Sequence, residues 1–399
     1  MNMSDKKILL LIASIWFAVL ILALAMNDLN SSFFVKLLFD DAKEFASRGT
    51  ITPNFMPIGY SAFLGLCMRI GGESGIPACQ TIVYLGALLV TFFFLKLGGA
   101  SRLFLILGIL VIALHPVLVL NIWRVHDGNL TVLLLLGFLA SAVVFSRFRS
   151  KKIILAMGML VGLLFTVRIN TILLIFPALF LFLRVVYFGK KEFIKNAGIF
   201  LLSAVVFFSV INLAVKQKPL FFPDHGFYNF FSGTNEYAEK YLLKDYSGEN
   251  SLGEALRARG YSVKTFEDWL NFPPEKYKEL ATEYIKNNPM DYLKLTGLKL
   301  ITLFRPGYHV PERFEWISLD GLKRISKIIL ALPVFIWLFF VWKTRKRFFD
   351  RENLFVFLVV VLYTMPFLIA NADPRYRFPL DTIFLADSFR RVSQITDAT

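Results

Sequence analysis

The chain has 399 residues, of which 56% are hydrophobic and 18% charged, and its formal net charge is +15. Soluble domains are less apolar and carry about 25% charged residues. The composition therefore excludes an ordinary soluble domain and predicts an all-α polytopic membrane protein.

Apolar stretches recur along most of the chain, at lengths close to the roughly 17–25 residues that cross a bilayer. We predict about ten transmembrane helices, at residues 8–26, 77–95, 103–120, 130–145, 153–167, 172–188, 198–215, 328–342, 354–370 and 378–389. The first follows Lys6 and Lys7, as the apolar part of a signal peptide would. We interpret it as a membrane anchor, because it is long for that role and lacks a small-residue cleavage site.

One further apolar stretch, residues 56–70, is too short for a span and is interrupted by Pro57, Gly59 and Arg69. It is typical of an interfacial or re-entrant helix. The first outer loop, residues 27–76, would then hold two interfacial helices, the earlier of which contains Asp40 and Asp41.

The second long connection, residues 216–327, predicts a small helical outer segment. Ser251 and Glu254 have the spacing of a capping box, and Pro273-Pro274 indicates another helix start. Residues 292–304 predict an amphipathic helix on the lipid surface. The chain thus divides into an N-terminal transmembrane module (1–215), the outer segment (216–327) and C-terminal transmembrane helices (328–399).

Basic residues mark every second connection between the predicted spans. They are Lys6, Lys7, Lys96, Arg102, Arg147, Arg149, Lys151, Lys152, Lys190, Lys191, Lys195, Lys343, Arg345, Lys346, Arg347, Arg351, Arg390 and Arg391. Cytoplasmic loops are enriched in Lys and Arg, so we expect a multi-pass membrane protein with a cytoplasmic N-terminus. The net charge then reports topology, and no nucleic acid partner is expected.

Polar side chains collect at the opposite, outer edge. They are Asp40, Asp41, Lys43, Glu44, Arg48, His115, Asn121, Arg124, His126, Asp127, Arg168, Asn170, Arg305, His309, Asp373, Arg375, Tyr376 and Arg377. Ionisable groups near a membrane core usually face a cavity and indicate function. Each arginine could instead extend towards lipid headgroups.

Carboxylates opposite arginines suit one kind of chemistry at this edge. A carboxylate acts as general base towards a hydroxyl, and arginines bind a phosphate leaving group through bidentate hydrogen bonds. A sugar linked to a lipid phosphate would supply that leaving group while its prenyl tail stayed in the bilayer.

Several short motifs also carry a family resemblance. They are Asp41-Ala42-Lys43-Glu44-Phe45 with the later Pro57-Ile58-Gly59-Tyr60, then residues 124–127, 162–168, 288–293 and 375–380. In this order they resemble the GT-C class of polyprenyl-phosphate-sugar-dependent glycosyltransferases, in the branch of the protein O-mannosyltransferases and lipid A aminoarabinose transferases. Ser61 and Ile169 depart from the pattern, because proline is common at both places.

The resemblance implies an inverting glycosyltransferase of the bacterial inner membrane, with its active site facing the periplasm. It implies an undecaprenyl-phosphate type of donor and a cell-envelope acceptor such as lipopolysaccharide, another glycan, a lipid or a protein. It implies a catalytic role for Asp41, as the base or as the residue that orients the acceptor, with Asp40 as its rival, and for Asp127. The substrate-binding residues that we predict are Arg168, Arg375, Arg377, Tyr376, Arg124, His126, Tyr60 and Arg305. No cofactor is expected; a metal ion is compatible with this chemistry, but no motif supports one.

Structural explanations stay open for the same residues. Asp40 and Asp41 could cap or solvate the start of an interfacial helix. Asp127 could be a negative charge that the helix dipole favours at a helix N-terminus. Arg375 and Arg377 could be anchors beside an aromatic belt at the membrane interface. Cys67 and Cys79, both near the outer face, could form a disulfide or serve as small apolar fillers.

Alternatives from other classes are a lipid-linked glycan transporter and a non-catalytic scaffold. A transporter places charges at the middle of the bilayer on broken helices, whereas the charges here concentrate at one edge. The sequence contains no Asp-x-Asp pair, no Trp-Trp-Asp motif, no His-Glu-x-x-His motif and no phosphate-binding or dinucleotide fingerprint.

Overall fold

A computed structural model describes residues 3–25, 33–52, 55–123, 125–185, 190–244, 248–305 and 320–396, except for the side chains of some helical residues. In this part of the chain the secondary structure is helical and no strand occurs. The α-helices are α1 Met3–Ala25, α2 Phe33–Arg48, α3 Ile58–Gly71, α4 Gly75–Leu97, α5 Arg102–Ala113, α6 Pro116–Leu120, α7 Gly128–Phe148, α8 Lys151–Val167, α9 Ile175–Val185, α10 Lys190–Lys216, α11 His225–Ser232, α12 Ala238–Lys244, α13 Gly248–Ala258, α14 Phe266–Leu270, α15 Pro274–Asn287, α16 Pro289–Phe304, α17 Asp320–Lys343, α18 Arg351–Ile369 and α19 Phe378–Thr396.

Five helices in the described ranges are long and apolar enough to cross a membrane: Asp5–Ala25, Gly75–Leu97, Gly128–Phe148, Lys191–Lys216 and Arg351–Ile369. Shorter apolar helices add Ile58–Gly71, Arg102–Ala113, Ile169–Arg184 and Leu330–Lys343. The prediction of an all-α polytopic membrane protein is confirmed.

Two predicted spans are interrupted. The stretch 103–120 breaks into α5 and α6 at His115, whose backbone is extended (φ −62°, ψ 118°), because a residue before proline avoids the helical region. The stretch 172–188 begins within a 3-10 helix, Ile169–Leu174, before α9.

The helices alternate in direction between two ends of the bundle. At one end, Lys96 near the end of α4 pairs with Asp5 near the start of α1 at 2.5 Å. There too Ser101, before α5, donates its N–H to the Ser393 hydroxyl of α19 at 2.9 Å. We call this the basic end. The site end is the opposite one, where α7 and α19 begin and α8, α10 and α18 finish.

At the basic end, Arg390 and Arg391 differ from our expectation of solvent-facing loop cations. α19 continues past the predicted limit of its apolar stretch, and both side chains are fully buried. Both pair with Asp387, which also accepts a hydrogen bond from Trp337 at 2.9 Å. Buried charges need such partners, so this cluster joins α17 to α19.

Glycines on α8 allow α10 to approach closely. A Cβ atom at Gly162 would lie 2.5 Å from the Ala204 carbonyl oxygen, and one at Gly158 would lie 2.4 Å from the carbonyl oxygen of Phe200. Small residues at this spacing let membrane helices approach backbone to backbone. The crossing brings the C-terminal ends of α8 and α10 near each other at the site end.

The first loop forms the predicted pair of short helices. Arg69 of α3 donates hydrogen bonds to the Phe45 and Ala46 carbonyl oxygens near the end of α2, both at 2.9 Å. The Phe45 carbonyl oxygen also accepts the Gly49 N–H at 2.9 Å, and a cation suits this end of a helix. Arg69, predicted to interrupt an apolar stretch, therefore joins α2 to α3.

The outer segment forms helices α11 to α16, with a small core around Phe231, Leu256 and Tyr277. The capping box expected at Ser251 is wrong: Ser251 lies inside α13, and the capping box is formed by Thr265 and Asp268 at α14. The domain limits given above stay a prediction.

Helix α16 buries one of its two lysines. Lys299 is fully buried together with Leu295 and Leu303, whereas Met290, Leu293 and Ile301 are exposed. The Lys299 ammonium group donates to the Ile369 carbonyl oxygen at 3.0 Å, where α18 ends. Apolar side chains of α16 thus face both the bundle and the outside, and its position on a lipid surface stays a prediction.

Candidate functional site

Asp41 and Asp40 occupy opposite environments on α2. Asp41 is buried, with 6% of its surface exposed, and its neighbour Ala42 is fully buried. Asp40 is exposed. Adjacent residues on a helix project about 100° apart, so packing of α2 on α3 covers only one of the two carboxylates.

Asp41 lies well inside its helix, which begins at Phe33, so it does not cap the helix start. Burial raises the pKa of Asp41 to about 7, against the lowering effect of Lys216, and with small raising contributions from Glu44 and Asp40. The Ser61 hydroxyl of α3 acts on the pKa of this carboxyl in the lowering direction. The pKa of Asp41 therefore lies near neutral pH.

Lys216, which our sequence analysis did not select, is the last residue of α10. Its ammonium group donates to the Thr52 carbonyl oxygen at 3.1 Å. Thr52 in turn donates its N–H to Glu44 at 3.0 Å, and Ile51 donates its N–H to the Val215 carbonyl oxygen at 2.9 Å. The end of α10 is thereby fastened to the first loop beside Asp41.

A second carboxylate, Asp127, precedes α7 and makes no side-chain capping hydrogen bond there. Its oxygens accept two hydrogen bonds from Arg168, from Nε at 2.5 Å and from Nη2 at 2.7 Å. Burial opposes ionisation of Asp127, but Arg168 and, to a smaller extent, His126 lower its pKa below the usual value. Asp127 is therefore a fixed anion at neutral pH.

Arg168 follows α8, has only 7% of its surface exposed, and is held on several sides. Its Nη1 donates to the Tyr363 hydroxyl at 3.0 Å, and its guanidinium lies 5.8 Å from the centre of the Tyr376 ring. That ring stacks on Phe367 at 4.7 Å. Of the five N–H groups of an arginine, two have no partner among the described residues.

Tyr60 connects the two carboxylate sites. It is buried on α3 in a cluster that also contains Val125 and Val167, which adjoin His126 and Arg168. A Cβ atom at Gly59 would lie 2.8 Å from the Thr166 carbonyl carbon. Only glycine permits this approach, and it presses α3 against the end of α8.

The outer segment covers this region through α11. His225 lies half-buried against the rings of Phe55 and Tyr228, at 5.1 Å and 6.0 Å between ring centres. Desolvation lowers the pKa of His225 to about 4, although the charge of Asp127 acts in the opposite direction. His225 is thus a neutral, half-buried residue within electrostatic reach of Asp127.

Arg377 lies apart from this group, with no exposed surface. It donates to the Phe304 carbonyl oxygen at 2.8 Å and the Leu330 carbonyl oxygen at 2.6 Å. It also pairs with Asp381 at 3.0 Å. These bonds join the end of α16 and the start of α19 to α17, and the guanidinium is engaged by protein groups.

The other selected residues divide into two groups. Arg305 is exposed at the end of α16, and His115 is buried beside the ring of Phe378 at 5.6 Å. Arg124, His309 and the side chain of Arg375 lie outside the described part of the chain, although the backbone of Arg375 belongs to the 3-10 helix Pro374–Arg377.

Over the described residues, no group of three or more His, Cys, Asp or Glu side chains could hold a metal ion. Cys67 and Cys79 are free thiols that share one hydrophobic cluster between α3 and α4.

Comparisons with known proteins find matches among solved structures but none by sequence. No family model matches the chain, and neither does any curated protein sequence. The structure is similar to the crystal structure of ArnT from Cupriavidus metallidurans bound to undecaprenyl phosphate, with 12% sequence identity and a TM-score of 0.42. The match covers 98% of this chain and 79% of that one.

Proposed function

We propose that the protein is a membrane glycosyltransferase that moves a sugar from a polyprenyl-phosphate donor to an acceptor hydroxyl. The observation that carries the proposal is that two carboxylates at the site end have opposite electrostatic environments. Asp41 is buried with a pKa of about 7, while Asp127 is ionised and holds the buried Arg168. The transfer needs a base for the acceptor hydroxyl and an arginine of fixed orientation for the donor phosphate.

Asp41 is the proposed general base. A base is most effective when its pKa lies near the operating pH, and burial gives Asp41 this property. Its carboxylate takes the proton of the acceptor hydroxyl while that oxygen bonds to the anomeric carbon of the sugar. The bond between this carbon and the phosphate oxygen breaks, and the lipid phosphate leaves with the bonding electrons, so the configuration inverts.

Arg168 is the proposed ligand of the donor phosphate. Asp127 and Tyr363 fix its orientation, and its two remaining N–H groups can donate to phosphate oxygens, a geometry that suits arginine better than lysine. Since the guanidinium is oriented before the donor binds, it stabilises the charge that develops on the leaving phosphate. Asp127 acts in this scheme through Arg168.

The other predicted residues take different places in the proposal. Tyr60, His126 and Tyr376 surround the two carboxylate sites, and Arg124, Arg305 and Arg375 remain proposed substrate contacts. For Arg377 we propose a supporting role, because its hydrogen bonds are made to the protein backbone. No cofactor takes part in the proposed reaction.

The location of the site agrees with a lipid-linked donor. The site lies at one end of apolar helices, where a prenyl tail could remain among membrane lipids while its phosphate reached Arg168. We propose that this end faces the periplasm of a bacterial inner membrane, with the N-terminus in the cytoplasm. The acceptor is a lipid, glycan or protein hydroxyl of the cell envelope.

Sugar transfer by the purified protein in nanodiscs tests the proposal. A panel of radiolabelled polyprenyl-phosphate sugars would be offered with lipid, glycan and peptide acceptors. Asp41→Asn should lower transfer by about 10²- to 10⁴-fold while donor binding persists, and Asp40→Asn, its exposed neighbour, is the matched control. Normal transfer by Asp41→Asn, or no consumption of any donor by the wild type, would overturn the assignment and favour a transporter.

A further inference from the structure

The connection between α17 and α18 is a short turn at the basic end that carries a dense positive charge. It joins the apolar helix Leu330–Lys343 to Arg351–Ile369, one of the helices long enough to cross a membrane. The turn therefore lies where both helices leave the apolar layer. Of its residues from 343 to 351, one is acidic, Asp350, and five are basic: Lys343, Arg345, Lys346, Arg347 and Arg351.

The carboxylates nearest in the fold are already engaged by buried arginines. Glu352 pairs with Arg390 at 3.3 Å, and Asp387 pairs with Arg390 and Arg391 at 2.5 Å and 2.6 Å. Among the described residues, the five cations of the turn form no ion pair with a carboxylate. The turn thus presents positive charge that described protein groups do not neutralise.

Hydrogen bonds fix the shape of this turn. Arg347 donates its N–H to the Thr344 carbonyl oxygen at 2.8 Å, and its own carbonyl oxygen accepts from the Asn353 side chain at 2.7 Å. The buried Thr344 hydroxyl accepts a hydrogen bond from Arg391 Nη1 at 2.8 Å. Nη2 of the same guanidinium is also buried and has no hydrogen-bond partner in the described part of the chain. A donor that protein groups leave unused therefore lies beside a turn of fixed backbone.

Exposed aromatic side chains flank the cations. The Trp342 ring is 55% exposed, and its centre lies 5.2 Å from the Lys343 ammonium and 5.3 Å from the Arg345 guanidinium. Phe349, on the other side of the turn, is 72% exposed. Tryptophan is enriched where a membrane meets water, because its ring suits the headgroup layer. Clustered cations next to a membrane helix attract anionic lipids.

We propose that the turn between α17 and α18 is a binding site for the headgroup of an anionic phospholipid. Arg345 and Arg347 present guanidinium groups, which donate paired hydrogen bonds to phosphate oxygens, while Trp342 and Phe349 contact the glycerol and the first part of the acyl chains. The headgroup of a zwitterionic lipid carries an ammonium group that these cations repel, so the site selects lipids of net negative charge. It lies at the end of the bundle opposite the transfer site and does not depend on the proposed function.

Two variants, each of which removes three exposed cations from the same end of the bundle, test the site. The turn variant is Arg345→Gln, Lys346→Gln and Arg347→Gln, and the matched control in the connection between α7 and α8 is Arg147→Gln, Lys151→Gln and Lys152→Gln. Arg347 bonds to Thr344 and Asn353 through its backbone, so the turn should keep its shape in the variant. Size-exclusion chromatography and thermal unfolding without lipid establish that both variants are folded.

The measurement is the binding of phosphatidylglycerol to the protein in a neutral detergent, followed by native mass spectrometry and by the rise in unfolding temperature. Phosphatidylcholine is the zwitterionic probe, and glycerol phosphate is a headgroup probe without acyl chains. We expect phosphatidylglycerol to bind the wild type at least about tenfold more tightly than either probe. The turn variant should lose about tenfold or more of this affinity, whereas the control variant should stay within about threefold of the wild type.

Equal losses in the two variants would show a general attraction of the basic end for anions and would overturn the proposal. Binding of phosphatidylcholine as tight as that of phosphatidylglycerol would also overturn it, and equally tight binding of glycerol phosphate would assign the turn to free phosphate instead. If the turn variant does not fold, photoactivatable phosphatidylglycerol on the wild type decides the question. Crosslinks within residues 342–351 would support the site, and crosslinks confined to other connections would contradict it.

Discussion

The ion pair between Asp127 and Arg168 allows a sharp test of how the site is held. Arg168→Met would leave Asp127 as a largely buried anion without its partner, since the pair is joined by hydrogen bonds of 2.5 Å and 2.7 Å. Breaking a buried pair by removing one partner costs about 3–5 kcal/mol. Because 20% of the Asp127 side chain is exposed, we expect Arg168→Met to lower the free energy of unfolding by an amount at the lower end of this range, about 3 kcal/mol.

A double-mutant cycle separates this effect from lost packing. Asp127→Asn alone should also destabilise the protein, because it leaves the buried guanidinium without an anion. The double variant Arg168→Met/Asp127→Asn should be more stable than the sum of the two changes predicts, by at least about 1 kcal/mol. Arg147→Met, at an exposed arginine in the last turn of α7, should change stability little.

Thermal unfolding in one detergent provides the assay. At about 2 °C per kcal/mol for a chain of this size, Arg168→Met should unfold about 6 °C below the wild type. Additive effects in the double variant, or an Arg168→Met unfolding temperature equal to that of Arg147→Met, would refute the idea that the two side chains form one unit.

Three further predictions follow from the same contacts. Asp41→Asn should be more stable than the wild type above about pH 7. Because burial raises the pKa of Asp41, its contribution to wild-type stability is greatest at low pH. That contribution falls by up to about 4 kcal/mol between about pH 4 and pH 7. Thermal unfolding at several pH values would check this, and parallel curves for the two proteins would contradict it. Gly59→Ala should destabilise the protein by about 1–3 kcal/mol and lower transfer, because the new Cβ meets the Thr166 backbone; Gly198→Ala, at a glycine with open space around it, is its control. Arg377→Lys should lower the unfolding temperature, because lysine cannot donate to the Phe304 and Leu330 carbonyl oxygens together. The KM for the donor should stay unchanged in the folded variant. A raised KM would show that Arg377 contacts the substrate.

The helices and their order were predictable because their signals are local. Apolar length predicts a span, and a proline such as Pro274 predicts the start of a helix, which α15 confirms. The capping-box error at Ser251 arose because the same spacing of serine and glutamate also occurs inside helices. Local patterns thus identify the elements better than their limits.

The contacts of the site were less predictable because they join distant parts of the chain. Arg168 reaches Asp127 across 41 positions and Tyr363 across 195, and no local pattern encodes such pairing. Lys216 resembled an ordinary basic residue at the end of a span. Its partner Thr52 is 164 positions away, so only the fold reveals its place beside Asp41.

Basic residues were hardest to interpret, because burial and exposure leave the same sequence pattern. Arg377 and Arg390 both follow or end apolar stretches, where an exposed cation would serve as a membrane anchor. Both are instead fully buried and paired with aspartates of α19. The aspartates four positions after Arg377 and three before Arg390 were the available signal, since such pairs lie on one face of a helix.

The two carboxylates of the site support the proposed division of labour through their opposite environments. Among the described residues Asp41 has no arginine partner, and burial dominates and raises its pKa to about 7. Asp127 is also enclosed, but Arg168 outweighs that burial and lowers its pKa. Where one site drives two acids apart in this way, the raised group is suited to exchange a proton and the lowered group to supply a fixed charge. A carboxylate that only solvated a helix would stay exposed, because burying it lowers the stability of the protein. The burial of Asp41 therefore favours a base over a structural acid.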